Sequence, residues 1–271
     1  MMNFETLSVA LADGIATIEL NRPDYANAMS EQMWLDIRDA FRWVDETAEA
    51  RVAVISGGGT HFSSGIDLAM LAGIKNEIQD QCDGRARDKL RRRILELQDT
   101  LTSIERCRKP VLAAIHGACI GGAIDLVTCC DMRYASAGAY FSIREIDVGM
   151  TADVGTLQRM PKLVPDGIVR ELAYTGRRFD AEEARQVGLV NRVYDSPEDL
   201  RRGVSEIAAT IAAKSPLSIR GIKEMVVYSR DHSVADGLNY IATWNAAMLL
   251  SEDLTEVMTA AREKRPAKFK N

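Results

Sequence analysis

The stretch from Tyr140 to Gly155 sets Glu145, Asp147 and Asp153 among apolar residues and glycines, and Asp125 stands a short way ahead of it. A carboxyl group in such company is desolvated. Its pKa rises, and it becomes able to exchange protons near neutral pH. Two glycine-bearing segments precede these acids, His61-Phe-Ser-Ser-Gly-Ile-Asp67 and His116-Gly-Ala-Cys-Ile-Gly-Gly-Ala-Ile-Asp125. Glycine lets the main chain turn sharply, and a helix starting just after it presents unpaired N–H groups at a positive dipole end. Two such amides converging on one point would make an oxyanion hole. Asp125 follows Gly122 by three residues, so in a helix its carboxylate shares a face with that amide. Plainer roles stay open beside these. Both segments also fit ordinary strand-to-helix turns, Asp125 fits an acid complementing a helix N-terminus, worth roughly 0.3–1 kcal/mol, and Asp153 fits the N-cap of a helix starting near Gly155.

The elements that must hold these residues read as a mixed α/β pattern. Leu7 to Leu20 alternates apolar residues around Asp13-Gly14, predicting a hairpin. Ser30 caps a predicted helix running to about Asp45, with Met33, Trp34, Ile37, Ala40, Phe41 and Val44 on its apolar face. Arg51 to Ser56 and Pro110 to Ile115 read as buried strands, each leading into one glycine segment, and a further strand is expected near Met132 to Ala135. Gly155 to Leu163 reads as a helix, and Ala181 to Gly188 as another with a glycine stop before a strand from Leu189 to Tyr194. Strand signals cease after Ser196-Pro197. The predicted division is an α/β core over residues 1–197 and a helical C-terminal region over 198–271.

Composition narrows the class. With 271 residues and 46% hydrophobic content the chain can bury a sizeable core. No run is long enough for a membrane span, and Met-Met-Asn-Phe-Glu-Thr has neither a basic nor an apolar leader, so the expectation is a cytoplasmic protein. Five cysteines without C-x-x-C spacing read as buried thiols, and His61, His116 and His232 form no metal-binding pair, so no metal is expected. A net charge of −5 argues against a general nucleic-acid binder. The basic run Arg85 to Arg93 is a candidate for a phosphorylated ligand or, more simply, a solvated helix face. Lys264-Arg265 and Lys268-Phe-Lys270 read either as contacts to a phosphorylated ligand or as a frayed basic tail.

Taken together, Asn21-Arg-Pro with Asn27-Ala28, Phe62-Ser-Ser-Gly-Ile-Asp67, Lys109-Pro110, Gly117 through Asp125, Asp131-Met-Arg-Tyr-Ala135 and Leu157-Gln-Arg resemble the enoyl-CoA hydratase/isomerase (crotonase) superfamily over nearly the whole chain. Glu145-Ile-Asp-Val-Gly with Ala152-Asp-Val-Gly-Thr-Leu-Gln-Arg159 looks closest to its Δ3,5-Δ2,4-dienoyl-CoA isomerase branch. The resemblance implies a crotonase-like spiral of ββα repeats and a helical C-terminal part that joins trimers, often paired into hexamers. Trp244, Met248, Leu249 and Leu250 then belong either to that interface or to the core. It also implies that the amides of Ile66 and Gly122 bind the thioester oxygen, and that Ala26, Ser64, Gly65, Asp67 and Leu68 lie along the CoA site. The partner is an acyl-CoA thioester. No separate cofactor is called for, because CoA arrives with the substrate.

In a 3,5-dienoyl thioester the most acidic protons are at C2, and removing one gives an extended dienolate that an oxyanion hole stabilises. Reprotonation at C6 brings both double bonds into conjugation with the thioester. C2 and C6 lie roughly 5 Å apart in an extended chain, too far for one fixed carboxylate to serve both well. Following the resemblance, Asp153 takes the C2 proton, Glu145 delivers one to C6, and Asp125 orients or tunes them. The alternative is an enoyl-CoA hydratase. A hydratase of this family holds its water with two glutamates, and here Asp125 replaces the first, one methylene shorter. A catalytically silent CoA-binding or RNA-binding member is the third reading.

Overall fold

The computed structural model describes residues 4–271. Met1 to Asn3, the start of the N-terminal segment expected to carry no leader, lie outside the described residues.

The hairpin forms as expected, β1 (Leu7–Ala12) against β2 (Ile15–Leu20), with Asp13 and Gly14 both at positive φ as a two-residue hairpin turn requires. Helix α1 (Glu31–Glu46) is capped by Ser30, whose hydroxyl accepts the Met33 N–H, and the six predicted apolar positions are all buried. β3 (Val52–Gly57) leads through the first glycine loop into α2 (Leu68–Glu77) and the long α3 (Asp83–Arg106). β4 (Val111–Ile115) leads through the second into α4 (Gly122–Thr128) and β6 (Met132–Ser136). Between β4 and α4 a short strand, β5 (Ala118–Ile120), pairs with β7 (Tyr140–Ser142) where a plain turn is expected from the glycines.

The remainder comprises α5 (Thr156–Arg159), α6 (Asp166–Thr175), β8 (Phe179–Asp180), α7 (Ala181–Gln186) and β9 (Arg192–Tyr194), followed by α8 (Pro197–Ala212), α9 (Pro216–Arg230), α10 (Val234–Met248) and α11 (Glu252–Glu263). The predicted helix from Gly155 to Leu163 is a single α-turn followed by a 3-10 turn over Met160–Lys162, because Pro161 has no N–H to continue the ladder. The predicted strand from Leu189 shortens to its last three residues.

The main sheet runs β1-β2-β3-β4-β6-β9, parallel from β2 onward, and a small sheet runs β5-β7-β8. Alternation along the strands covers both faces. In β4, Val111, Ala113 and Ile115 join the large core with α1, α3 and α4, while Leu112 and Ala114 meet Leu200, Val204 and Ala208 of α8. The first helix of the C-terminal run therefore packs on the sheet. A lysine of α9 reaches back too: Lys223 Nζ donates to Asp131 at 2.8 Å and to the Lys109 carbonyl at 3.0 Å. The basic tail is held rather than frayed, with Arg265 on Glu256, Lys270 on Glu252, and Arg51 donating to the carbonyls of Phe269 and Ala212.

Candidate active site

Both glycine segments leave the carboxyl ends of parallel strands, β3 and β4, where open α/β sheets present their ligand sites. They are fastened to each other by main-chain bonds. Ser63 N–H donates to Ala118 O, Ile120 N–H to Ser63 O, and Met29 N–H to Gly65 O, so the loops continue the parallel pairing as isolated bridges. The histidines join the same seam: Ala118 N–H donates to His61 Nδ1 at 3.2 Å, and His116 Nε2 lies 2.9 Å from Gly59 O. Gly65 sits at φ +90°, and a β-carbon there would lie 2.5 Å from Ile120 O and 3.1 Å from Gly122 N. Only glycine allows so close an approach.

The consequence is that Ile66 and Gly122 come together on one cavity. Among the described residues, neither N–H donates to a protein acceptor. The cavity, about 230 Å³, is also lined by Asp125, Glu145 and Asp153, so the structure brings together all five residues named for chemistry. Trp34 and an apolar wall including Leu71, Ile74, Leu90, Ile94 and Leu97 complete it. That wall was not singled out from the sequence, although Leu90, Ile94 and Leu97 recur at helical spacing.

Each acid has its own setting. Asp125 is buried in α4, and its Oδ1 accepts the Thr156 N–H at 2.5 Å, so Asp125 of one helix caps the start of α5. Asp153 makes no cap there. Its main-chain carbonyl accepts Gln98 Nε2 at 2.6 Å, leaving the carboxylate on the cavity wall. Glu145 begins a 3-10 turn beside Gly121, where a β-carbon would come 3.4 Å from Glu145 Oε1. Among the described residues the buried side-chain polar atoms without a hydrogen-bond partner are Arg93 Nε, Asp125 Oδ2, Glu145 Oε2 and Thr156 Oγ1, and the first three belong to residues lining this cavity. Such orphaned groups are uncommon in native folds, and a catalytic role or a bound water is among the things that account for them.

Burial pushes the Asp125 carboxyl up to about 6, against the hydrogen bonding of Thr156 and with a further push from the Asp153 charge. Burial likewise pushes Glu145 up to about 7, and the charges of Asp125 and Asp153 add to it. Asp153 is raised by burial as well. The cluster therefore holds protons at neutral pH that ordinary carboxylates have lost.

The residues expected along the CoA site lie outside this cavity, on the loops around its amide side. Ala26 takes a left-handed conformation, φ +48°, and its carbonyl accepts the Ser64 N–H. Asp67 caps α2 through the Ala69 N–H and pairs with Arg22 at 3.0 Å, while Leu68 is 64% exposed. Asn27 is buried and binds the Gly58 and His61 carbonyls, which fixes the loop that carries Ala26. The basic run of α3 is a charge-paired helix face, with Arg85 on Asp80, Arg87 on Asp83, Arg92 on Asp88 and Arg93 on Glu31.

The profile of the Enoyl-CoA hydratase/isomerase family matches residues 11–271. The chain belongs to that family. Within it, the chain is 44% identical over 273 residues to the Delta(3,5)-Delta(2,4)-dienoyl-CoA isomerase, peroxisomal, of Arabidopsis thaliana, covering 99% of this chain and 98% of that one. It is 43% identical over 270 residues to the mitochondrial Delta(3,5)-Delta(2,4)-dienoyl-CoA isomerase of Homo sapiens, covering 98% and 82%. The enoyl-CoA hydratase of Bacillus anthracis superposes with a TM-score of 0.89 at 29% identity, over 98% of this chain and 99% of that one. This member of the enoyl-CoA hydratase/isomerase family accordingly has the crotonase fold, as its motifs imply. Cytoplasmic residence is the expectation from this chain, whereas those two isomerases are named for the peroxisome and the mitochondrion.

Proposed function

We propose that this protein isomerises 3,5-dienoyl-CoA to 2,4-dienoyl-CoA in fatty acid β-oxidation. The observation that carries the reading is Asp153 on the same cavity as Asp125 and Glu145, together with two unused amides. The Ile66 and Gly122 N–H groups bind the thioester oxygen and stabilise the dienolate as charge develops there; a single donor of this kind is typically worth about 10²–10³ in rate. Ionised Asp153 takes a proton from C2. Protonated Glu145, whose carboxyl is pushed up to about 7 by burial and by the neighbouring carboxylates, delivers one to C6. Asp125, anchored through Oδ1, sets the charge that Glu145 feels. Ala26, Ser64, Gly65, Asp67 and Leu68 line the approach of CoA, largely with main-chain groups. The similarity to named dienoyl-CoA isomerases supports this choice within the family.

The reading includes self-association as a trimer or hexamer. The groove between α9, α10 and α11, about 520 Å³ and lined by Val226, Trp244, Met248 and Leu249 among others, is the surface that would be covered. Sedimentation velocity of the purified protein tests it. A second reading, enoyl-CoA hydratase, draws on the unpartnered Asp125 Oδ2 and Glu145 Oε2, two oxygens able to hold one water.

The test is an ultraviolet assay with a 3,5-dienoyl-CoA and, separately, a 2-enoyl-CoA, run on the wild type, Asp153→Asn and Glu145→Gln. Formation of the conjugated 2,4-dienoyl thioester, lost in both variants, is expected. Turnover of the 2-enoyl-CoA alone would make the protein a hydratase and leave Asp153 without the role given it.

A further inference from the structure

The two-acid isomerisation leaves the site in the wrong protonation state after every turnover. The C2–H bond breaks and its proton forms an O–H on Asp153; the O–H of Glu145 breaks and its proton forms C6–H. The substrate gains and loses one proton, so no net proton is consumed. Yet Asp153 ends protonated and Glu145 ionised, the reverse of the starting state. One proton must be reset before the next substrate reacts, a requirement that rests on the isomerase reading.

The surroundings of the two acids are unequal. Glu145 lines the active-site cavity described above, whose remaining wall is largely apolar. Asp153 and the adjoining Val154 also line a second cavity of about 370 Å³, whose walls are Gln98, Thr102, Glu105, Gln158, Arg159, Arg230 and Asp231 with Gly155. These walls are polar, and they reach the surface at Gln158, Arg230 and Asp231, all exposed. Inside, the buried side of the cavity is fixed by charge: Arg159 pairs with Glu105 at 3.2 Å, and Arg230 also binds Glu105. Gln98, which holds the Asp153 carbonyl, is part of the same wall. A cavity lined by such donors and acceptors suits ordered water, which an apolar one does not. On the inner side, Asp125 spends one oxygen on the Thr156 N–H and keeps Oδ2 buried without a partner, as Glu145 keeps Oε2.

We propose that the polar cavity behind Asp153 is the enzyme's proton port: Asp153 exchanges the proton it has taken from C2 with solvent through this cavity, and the exchanged proton returns to Glu145 across the active-site cavity that both acids line. Asp153 thus faces substrate on one side and water on the other. Gln98, Thr102 and Gln158 are positioning residues of the port and touch no reacting atom.

Unlabelled 3,5-dienoyl-CoA is turned over many times in D2O by the wild type, and the product is read position by position by NMR, with unreacted substrate recovered to check exchange at C2. Deuterium at C6, with one protium retained at C2, is expected. Thr102→Leu and the surface variant Gln158→Trp, which narrow the cavity from within and at its mouth, should lower C6 deuterium severalfold in favour of protium carried over from C2. Protium at C6 in the wild type would mean a closed internal return and would overturn the port. So would full C6 deuterium in both variants at unchanged kcat, since Glu145 would then exchange by another route. If the wild type forms no 2,4-dienoyl product at all, the isomerase reading fails, and the port fails with it.

Discussion

Replacing Glu145 by glutamine should stabilise the folded protein at alkaline pH and not at acid pH. The carboxyl rises from 4.5 to about 7 on folding, because burial and the neighbouring Asp125 and Asp153 charges disfavour its ionised form. At about 1.4 kcal/mol per pH unit this amounts to about 3 kcal/mol of strain carried by the ionised native state. Below pH 4.5 the native and unfolded chains both hold the proton and the penalty is absent. Between 4.5 and 7 the unfolded chain releases its proton while the native one keeps it, so wild-type stability falls as pH rises; above 7 the full penalty applies. Glutamine never ionises. It leaves an unpartnered amide at the position of Oε2, which costs about 1 kcal/mol at every pH. The variant should therefore be about 1 kcal/mol less stable than wild type at pH 4 and about 2 kcal/mol more stable at pH 8. Urea unfolding of both proteins, followed by circular dichroism at a series of pH values, measures the difference. A difference that stays constant across pH, or one that turns against the variant above pH 7, would refute the account of a desolvated, charge-crowded carboxyl.

Product formation by the wild type should decline above about pH 7, as Glu145 loses the proton it donates, and a kcat–pH profile reads this limb directly. Gly122→Ala keeps the N–H, and its β-carbon would meet only the flexible end of Met29 at 2.7 Å and stand 3.6 Å from Ile66 N, so kcat should fall by less than the about 10²–10³ that losing an oxyanion donor costs; steady-state kinetics alongside a melting curve separates this from misfolding. Lys223→Met should destabilise by about 3 kcal/mol, because Asp131 loses a buried cationic partner that also ties α9 to the sheet, and chemical denaturation tests it.

Elements with a strong local signature were legible in the sequence. The Asp13-Gly14 hairpin and the Ser30-capped α1 needed only alternation, a turn dipeptide and a capping hydroxyl, all of which act over a few residues. The strand β5 was not legible. Its three residues sit between glycines, and pairing with β7 is a long-range bond that no local pattern announces. Local capping logic left a cap open to Asp153 at the start of α5, but the Thr156 N–H is taken by Asp125 from another helix. That exchange is what leaves the Asp153 carboxylate unused by the fold. Among the candidate site residues, the two amides come together because both glycine loops leave adjacent strands of one sheet, and the pairing of β7 with β5 brings the segment that carries Glu145 and Asp153 alongside them. The apolar wall came from α2 and α3, whose periodicity reads equally well as ordinary core.

The seam between the Ser63 and Cys119 loops has an evolutionary reach. The two amides that face the cavity are held by peptide groups pairing with peptide groups, with glycine demanded only where the strands nearly touch. Apart from His61, Ser63 and His116, whose side chains bond into the seam, side chains along it can drift without disturbing the spacing of those donors. The acids, by contrast, hang from α4, a 3-10 turn and a loop, three separate attachments that can change one at a time. Under the proposed function, a lineage built this way would exchange one reaction for another by swapping carboxyl groups around an anion receptor that never has to be reinvented. A designer wishing to redirect the chemistry would leave the seam alone and rewrite only positions 125, 145 and 153.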